Sequence, residues 1–360
     1  MTGAWIRARA LLGSSGETAL SWAVLLLAAV VWVGGLRLGW YTSDRITDIP
    51  TYRNAETLIN AGQVPYRDFP LEYPPLAAAL FWLAGALPGQ YEVGFSALML
   101  ICLGATALGV MATARAAGLD ERRQALAGCA VALSPLLLGD MVQTRFDLML
   151  AALLSWTLYA AVAGRWRLAW TLLGLATLTK LVPLALAPIL LIYQRHHAGT
   201  RRALLGLALG VAVVGAVLLP FVIMSPSGVW RIAAYHLDRP LQIESTGAAY
   251  LLGLHALADV PLSVSYSFGS QGLAGRGPDA ISMISSALLL AALVAIAVTL
   301  ALLLRRVRRG PGDARLFLAA AAATMAALLA GGKVLSPQFV IWLLPVGFVV
   351  AGRYGGWTFL

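Results

Sequence analysis

The feature that constrains this chain most is a succession of apolar runs about as long as a bilayer is thick. Crossing roughly 30 Å of hydrocarbon takes a helix of about 20 predominantly apolar residues. On that rule the chain spans near residues 19–39, 91–114, 122–139, 145–163, 202–224, 280–304, 314–331 and 336–352. Residues 166–194 form a run too long for one helix, with Lys180 and Pro183 in its middle, and read as two short helices meeting near Lys180. The expectation is therefore an all-α polytopic membrane helix bundle of about ten transmembrane helices. With 60% apolar and only 12% charged residues, most of the chain has lipid as its solvent. Residues 1–360 read as one integral membrane domain.

Residues 74–88, PPLAAALFWLAGALP, are too short to span and read as an interfacial helix. With that segment lying flat, sixteen of the 26 basic residues, among them Arg7, Arg9, Arg115, Arg195, Arg305 and Arg353, fall on one face in tails or short loops. Only four of the sixteen acids share that face, and a positive side is the cytoplasmic side. Both termini are thus expected in the cytoplasm of a multi-pass cell membrane protein. The two large loops, 40–90 and 225–279, are then extracytoplasmic, the second as a cap. The first apolar run is too long for a signal peptide and no small-residue cleavage site follows it. The net charge of +10 belongs to these orienting loops, so no nucleic-acid partner is expected. Cys102 and Cys129 lie within apolar segments and suggest neither a disulfide framework nor a thiol metal site.

Chemistry concentrates on the extracytoplasmic side. Residues 40–76 set Asp44, Asp48, Glu56, Asp68 and Glu72 among Tyr41, Tyr52, Tyr66 and Tyr73. Asp48 and Tyr52 share a face of a helix in which Pro50 occupies the first turn and which Gly62 ends; the plain alternative is that Asp48 merely caps that helix. Tyr73 to Leu76, YPPL, form a stiff step into the interfacial helix. Lys180 and Lys333 are the only lysines in a chain with 24 arginines, each at the outer end of an apolar segment. An intramembrane cation implies a partner or a ligand, and a compact ammonium suits a phosphate. Arg145 and Asp147 either pair with each other or serve a site. His236, Arg239 and Gln242 fall at spacing three and would share one helix face. Gln338 opens the last apolar run. No zinc-protease motif, clustered histidines or serine-nucleophile motif is present, and His196 and His197 read as ordinary loop beside Arg195. No metal or other cofactor is expected. Asp44 and Asp48 are the one pair that could hold a divalent ion with substrate oxygens.

In order, the segments DIPTY, GQVPYRDFPLEYPPL, TLTKLVP, YHLDRPLQ and KVLSPQFVIWLLP resemble the C-type (GT-C) membrane glycosyltransferases. The specific likeness is to glycosyltransferase family 87, the polyprenol-phosphate-mannose-dependent mannosyltransferases, and the pattern is also similar to GPI mannosyltransferase I. The resemblance runs from about residue 40 to 345. It implies an inverting transfer of a sugar, mannose by resemblance alone, from a polyprenyl-phosphate donor to a glycolipid or glycan acceptor. Asp48 takes the family's catalytic base position, with Asp44 as the alternative. On this reading Lys180, Lys333, His236, Arg239 and Arg145 receive the donor phosphate, while Tyr52, Tyr66, Tyr73, Gln242 and Gln338 contact substrate. A competing reading is a transporter or flippase of an anionic polyprenyl-phosphate-type lipid, using the same cations and the helix broken at Lys180.

Overall fold

The computed structural model describes residues 15–37 and 47–350. Thirteen helices of twelve residues or more carry the fold in this stretch, interrupted by shorter helical turns. They are α1 (Ser15–Arg37), α2 (Ile49–Asn60), α3 (Pro75–Ala86), α4 (Tyr91–Ala116), α5 (Glu121–Leu133), α6 (Asp147–Val162) and α7 (Trp166–Thr177). After these come α8 (Ala187–Ala198), α9 (Thr200–Met224), α10 (Pro226–Asp238), α11 (Thr246–Ala258), α12 (Arg276–Leu304) and α13 (Pro311–Gly331). Five of them, α1, α4, α9, α12 and α13, are long and apolar enough to cross a membrane. The remaining apolar segments are shorter than the sequence suggests.

Two expected spans are not continuous helices. The run 122–139 breaks at Ser134, where Pro135 starts a separate turn, Pro135–Leu138, that ends on Gly139 at φ +63°. Proline cannot supply an amide to the preceding turn, a restriction that mean hydropathy does not register. The run 336–352 begins as a 3₁₀ helix, Pro337–Leu343, and passes into a short α-helical turn, Leu344–Gly347. The break anticipated near Lys180 is present: α7 ends at Thr177, and a 3₁₀ segment, Val182–Leu186, precedes α8.

Without a hydrophobic drive between helices in lipid, close approach relies on small residues. Helix α4 packs along α6 with Gly109 directly against Ser155 and Trp156. Gly206 and Gly210 of α9 admit Trp170 of α7, whose indole N–H donates to Gln194 Oε1 at 2.6 Å. The buried Gln194 amide in turn donates to the Arg202 carbonyl at 3.0 Å, so no polar atom of that side chain is stranded.

The first loop folds into a strap. In α2, Pro50 sits in the first turn, and after Ala61 the chain turns through Gly62 at φ +81°, its N–H bonded to the Ile59 carbonyl. Tyr66 adopts φ +68°, is buried, and donates its hydroxyl to the Tyr73 carbonyl at 2.6 Å. With twelve residues, α3 is about 18 Å long and cannot cross the bilayer. Its first turn is fastened to the Lys180 break by the Leu76 N–H, which donates to the Leu178 carbonyl at 2.9 Å. The segment expected as a cap over 225–279 forms α10, α11 and a small antiparallel sheet. In that sheet β1 (Leu241–Gln242) and β2 (Ser263–Ser267) flank β3 (Ser270–Ala274). Leu241, Ala248, Leu251 and Leu273 give it a small core of its own.

The Gly109 contact gives the first test. Gly109→Val should destabilise the protein by about 1–3 kcal/mol through overpacking, and Ser155→Gly in the same chain should restore part of the loss in a thermal unfolding scan in detergent.

Candidate functional site

Asp48 occupies the position before α2, yet its carboxylate does not cap the helix. The Ile49 N–H donates instead to Thr47 Oγ1 at 3.2 Å. The carboxylate is used sideways: Oδ2 accepts from the Tyr52 hydroxyl at 3.2 Å, and Oδ1 pairs with Arg145 Nη1. A carboxylate has about four acceptor positions, so this arrangement leaves room for a further donor on a side chain that is 33% exposed. The other candidate base, Asp44, lies outside the described residues, as does Tyr41.

Arg145 feels the attraction of Asp147 but makes its ion pair elsewhere. It reaches Asp48, while Asp147, 1% exposed at the start of α6, accepts through Oδ1 from Lys180 Nζ at 2.6 Å and from the Trp342 indole N–H at 2.5 Å. The Lys180 ammonium also lies 4.8 Å from the centre of the Phe146 ring and 5.3 Å from those of Phe339 and Trp342. It therefore sits in an aromatic box closed by a carboxylate. Asp147 Oδ2 and Gln143 Nε2 are buried without a hydrogen-bond partner among the described residues. Two acids and two bases thus form a balanced set.

A second pair of cations lies beyond it. Arg239 Nη2 donates to Gln242 Oε1 at 3.3 Å and to Ser270 Oγ at 3.0 Å, and its guanidinium is 5.5 Å from the Tyr235 ring centre. Lys333 Nζ donates to the Leu237 carbonyl in the last turn of α10 at 2.6 Å. The Lys333 carbonyl accepts from the Gln242 N–H at 2.9 Å. Neither cation is bound to a carboxylate among the described residues. Partial burial draws the Lys333 ammonium below its ordinary value, Asp238 acts against that shift, and Arg239 adds to it. The expected common helix face of His236, Arg239 and Gln242 does not exist. Helix α10 ends at Asp238, Pro240 follows, and Gln242 is in β1, so a turn rather than a helical period brings Arg239 onto Gln242.

Glu72, an acid to which the sequence assigned no role, faces this region. Burial raises the Tyr73 and Tyr235 hydroxyls well above the ordinary phenol range, and the Glu72 carboxylate beside each raises them further. His236 is pushed down by the protein around it and then by Arg239, against the pull of Glu72. That biases its imidazole toward the neutral form, which offers a hydrogen bond rather than a charge. Tyr52 is buried, stacked on Phe81 at 4.3 Å with Phe95 behind at 5.4 Å. Its ring faces are taken, as are those of Tyr66, which packs edge-on against Phe221. Tyr73 is half-buried. Gln338 accepts from the Ser336 hydroxyl at 2.5 Å beside the Phe339–Trp342 stack.

The sequence also passed over two histidines. His196 and His197 are in the last turn of α8 rather than a loop, and both face Asp313 at the start of α13. No period connects residues so far apart in the chain.

Removing one partner of a buried ion pair leaves an uncompensated charge and costs about 3–5 kcal/mol. Asp147→Asn should lose stability on that scale in detergent thermal unfolding, and adding Lys180→Met should recover most of it.

Among solved structures, the chain is similar to the oligosaccharyltransferase of Archaeoglobus fulgidus in its apo form, with a TM-score of 0.52 and 16% identity. The match covers 94% of this chain and 50% of that one, so this chain spans about half that protein's length, and the likeness is one of fold. No curated protein sequence matches. The model of glycosyltransferase family 87 matches residues 71–337, from the LEYPPL step to the loop after Lys333. That match begins after Asp48 and α2 and covers most of the chain, which belongs to glycosyltransferase family 87.

Proposed function

We propose that this protein is an inverting glycosyltransferase that moves a sugar, with mannose as the specific expectation, from a polyprenyl-phosphate donor to a glycolipid or glycan acceptor. It works on the extracytoplasmic face of the cell membrane, with both termini in the cytoplasm. The observation that carries the reading is the Asp48 carboxylate: free of capping duty at a helix start, oriented by Tyr52 and Arg145, and partly open to solvent.

In this reading an acceptor hydroxyl donates its hydrogen bond to Asp48, gives up its proton there as its oxygen attacks C1 of the donor sugar, and the polyprenyl phosphate leaves on the opposite side. The departing phosphate gains charge and needs fixed cations in advance. Lys333 and Arg239, which bind no carboxylate among the described residues, suit that task directly. His236 adds an uncharged N–H, and Gln242 holds Arg239 in place. Lys180 and Arg145 are neutralised by Asp147 and Asp48. Their part is to fix the geometry around the sugar, with Tyr73 and Gln338 at its edge. The rival reading as a lipid flippase draws on the helix break at Lys180. That lysine's charge is already taken by Asp147, and family membership favours transfer.

Asp48→Asn should still bind donor while turnover falls about 10²–10⁴-fold, the range of a lost general base, at some cost in stability because Arg145 loses its partner carboxylate; near-normal transfer of radiolabelled sugar from a polyprenyl-phosphate donor would sink the assignment. Lys333→Gln and Arg239→Gln should each weaken donor binding about 10–100-fold, as expected for a lost charged hydrogen bond. Measuring KM and kcat for donor and acceptor separately checks this, and an effect confined to the acceptor would point the cations elsewhere.

A further inference from the structure

We propose that His196, His197 and Asp313 bind one divalent transition-metal ion of the zinc class, at the ends of α8 and α13 remote from Lys180 and Lys333. Asp313 is 1% exposed, and its Oδ2 lies 3.5 Å from His196 Nε2 and 3.0 Å from His197 Nε2. All three atoms fall within 4.8 Å of one another. Each is buried, and none has a hydrogen-bond partner among the described residues. Three buried polar atoms aimed at one another without a hydrogen bond are a costly arrangement unless something between them accepts all three lone pairs.

The chemistry suits a borderline metal. Two imidazole nitrogens and a carboxylate oxygen are a common set for zinc and its neighbours. Ligands at about 2.05 Å in a tetrahedron stand roughly 3.3 Å apart, and the two separations from Asp313 bracket that value. The third, between the histidines, closes by rotation of the His196 ring, and solvent completes the shell. Tyr193 and Trp166 hold the His197 ring at 4.7 and 5.6 Å between centres.

The position has a mechanical meaning. Helix α8 begins after the Lys180 break and ends at the histidines, while α13 begins at Asp313 and ends just before Lys333. An ion here joins the far ends of the two helices whose near ends carry the two lysines.

The test uses full-length protein purified in detergent with a tag free of histidine, stripped with a chelator and titrated with Zn²⁺ against a chromophoric competitor. One Zn²⁺ per chain is expected, with a rise in melting temperature on binding. Loss of a ligand should exceed the ~10–100-fold effect of changing a residue that only supports a ligand, so His197→Ala and Asp313→Asn should weaken Zn²⁺ binding by at least that much. His196→Gln, which keeps a polar side chain at that position, serves if the other variants fail to fold, and His255→Ala should bind as the unaltered protein does. Co²⁺ should give a low-symmetry visible spectrum that His196→Gln abolishes. No Zn²⁺ uptake at micromolar concentration, or uptake unchanged in His196→Gln and His197→Ala, overturns the proposal.

Discussion

The ion pair of Asp147 and Lys180 is the constraint on which the candidate site depends. An ammonium placed among Phe146, Phe339 and Trp342 is held there by aromatic faces and one carboxylate, and that carboxylate is itself fixed by the Trp342 indole. The helix break at Lys180 lies beside the same pair. Helix α7 stops at Thr177, and the next segment begins at Val182 with Pro183, which supplies no amide, in its first turn. The carbonyl of Leu178, freed by that interruption, accepts the Leu76 N–H and secures the first-loop strap over the bundle.

Charge is arranged in two tiers around this centre. The inner tier, Asp48, Arg145, Asp147 and Lys180, has no net charge and is mostly buried, as a low-dielectric interior demands. The outer tier, Arg239 and Lys333, is bound to carbonyl, amide and hydroxyl oxygens and keeps its charge available. A neutral inner set gives geometry, and an outer positive set attracts an anion. Glu72 limits how positive that outer region becomes, acting on Tyr73, Tyr235 and His236 together.

Much of this was legible in the chain because each signal was local. Pro50 and Gly62 bracket α2, the Pro–Pro step opens α3, and Lys180 with Pro183 announces a broken helix. The pairings were not legible, because they are set by tertiary packing. Nothing in the spacing of Arg145 and Asp147 says that they turn to different partners. The break at Pro135 was hidden by an even hydropathy on both sides, and the helical spacing of His236, Arg239 and Gln242 was a coincidence cut short at Asp238. Tyrosine suits both a substrate surface and a core, so the chain alone does not separate the two for Tyr52 and Tyr66, which are core here. The His196–His197–Asp313 group joins two ends far apart in the chain, beyond the reach of any motif.

The contact between Asp147 and Trp342 also has a consequence for how the protein is made. Its two partners are 195 residues apart, so at synthesis rates of about 5–20 residues per second the carboxylate precedes its indole by roughly 10–40 s. During that interval the carboxylate has Lys180 but not the indole, and the aromatic box lacks two walls. The centre is finished by nearly the last described segment to leave the ribosome, so a nascent chain carries the strap and both acids well before it carries a complete site.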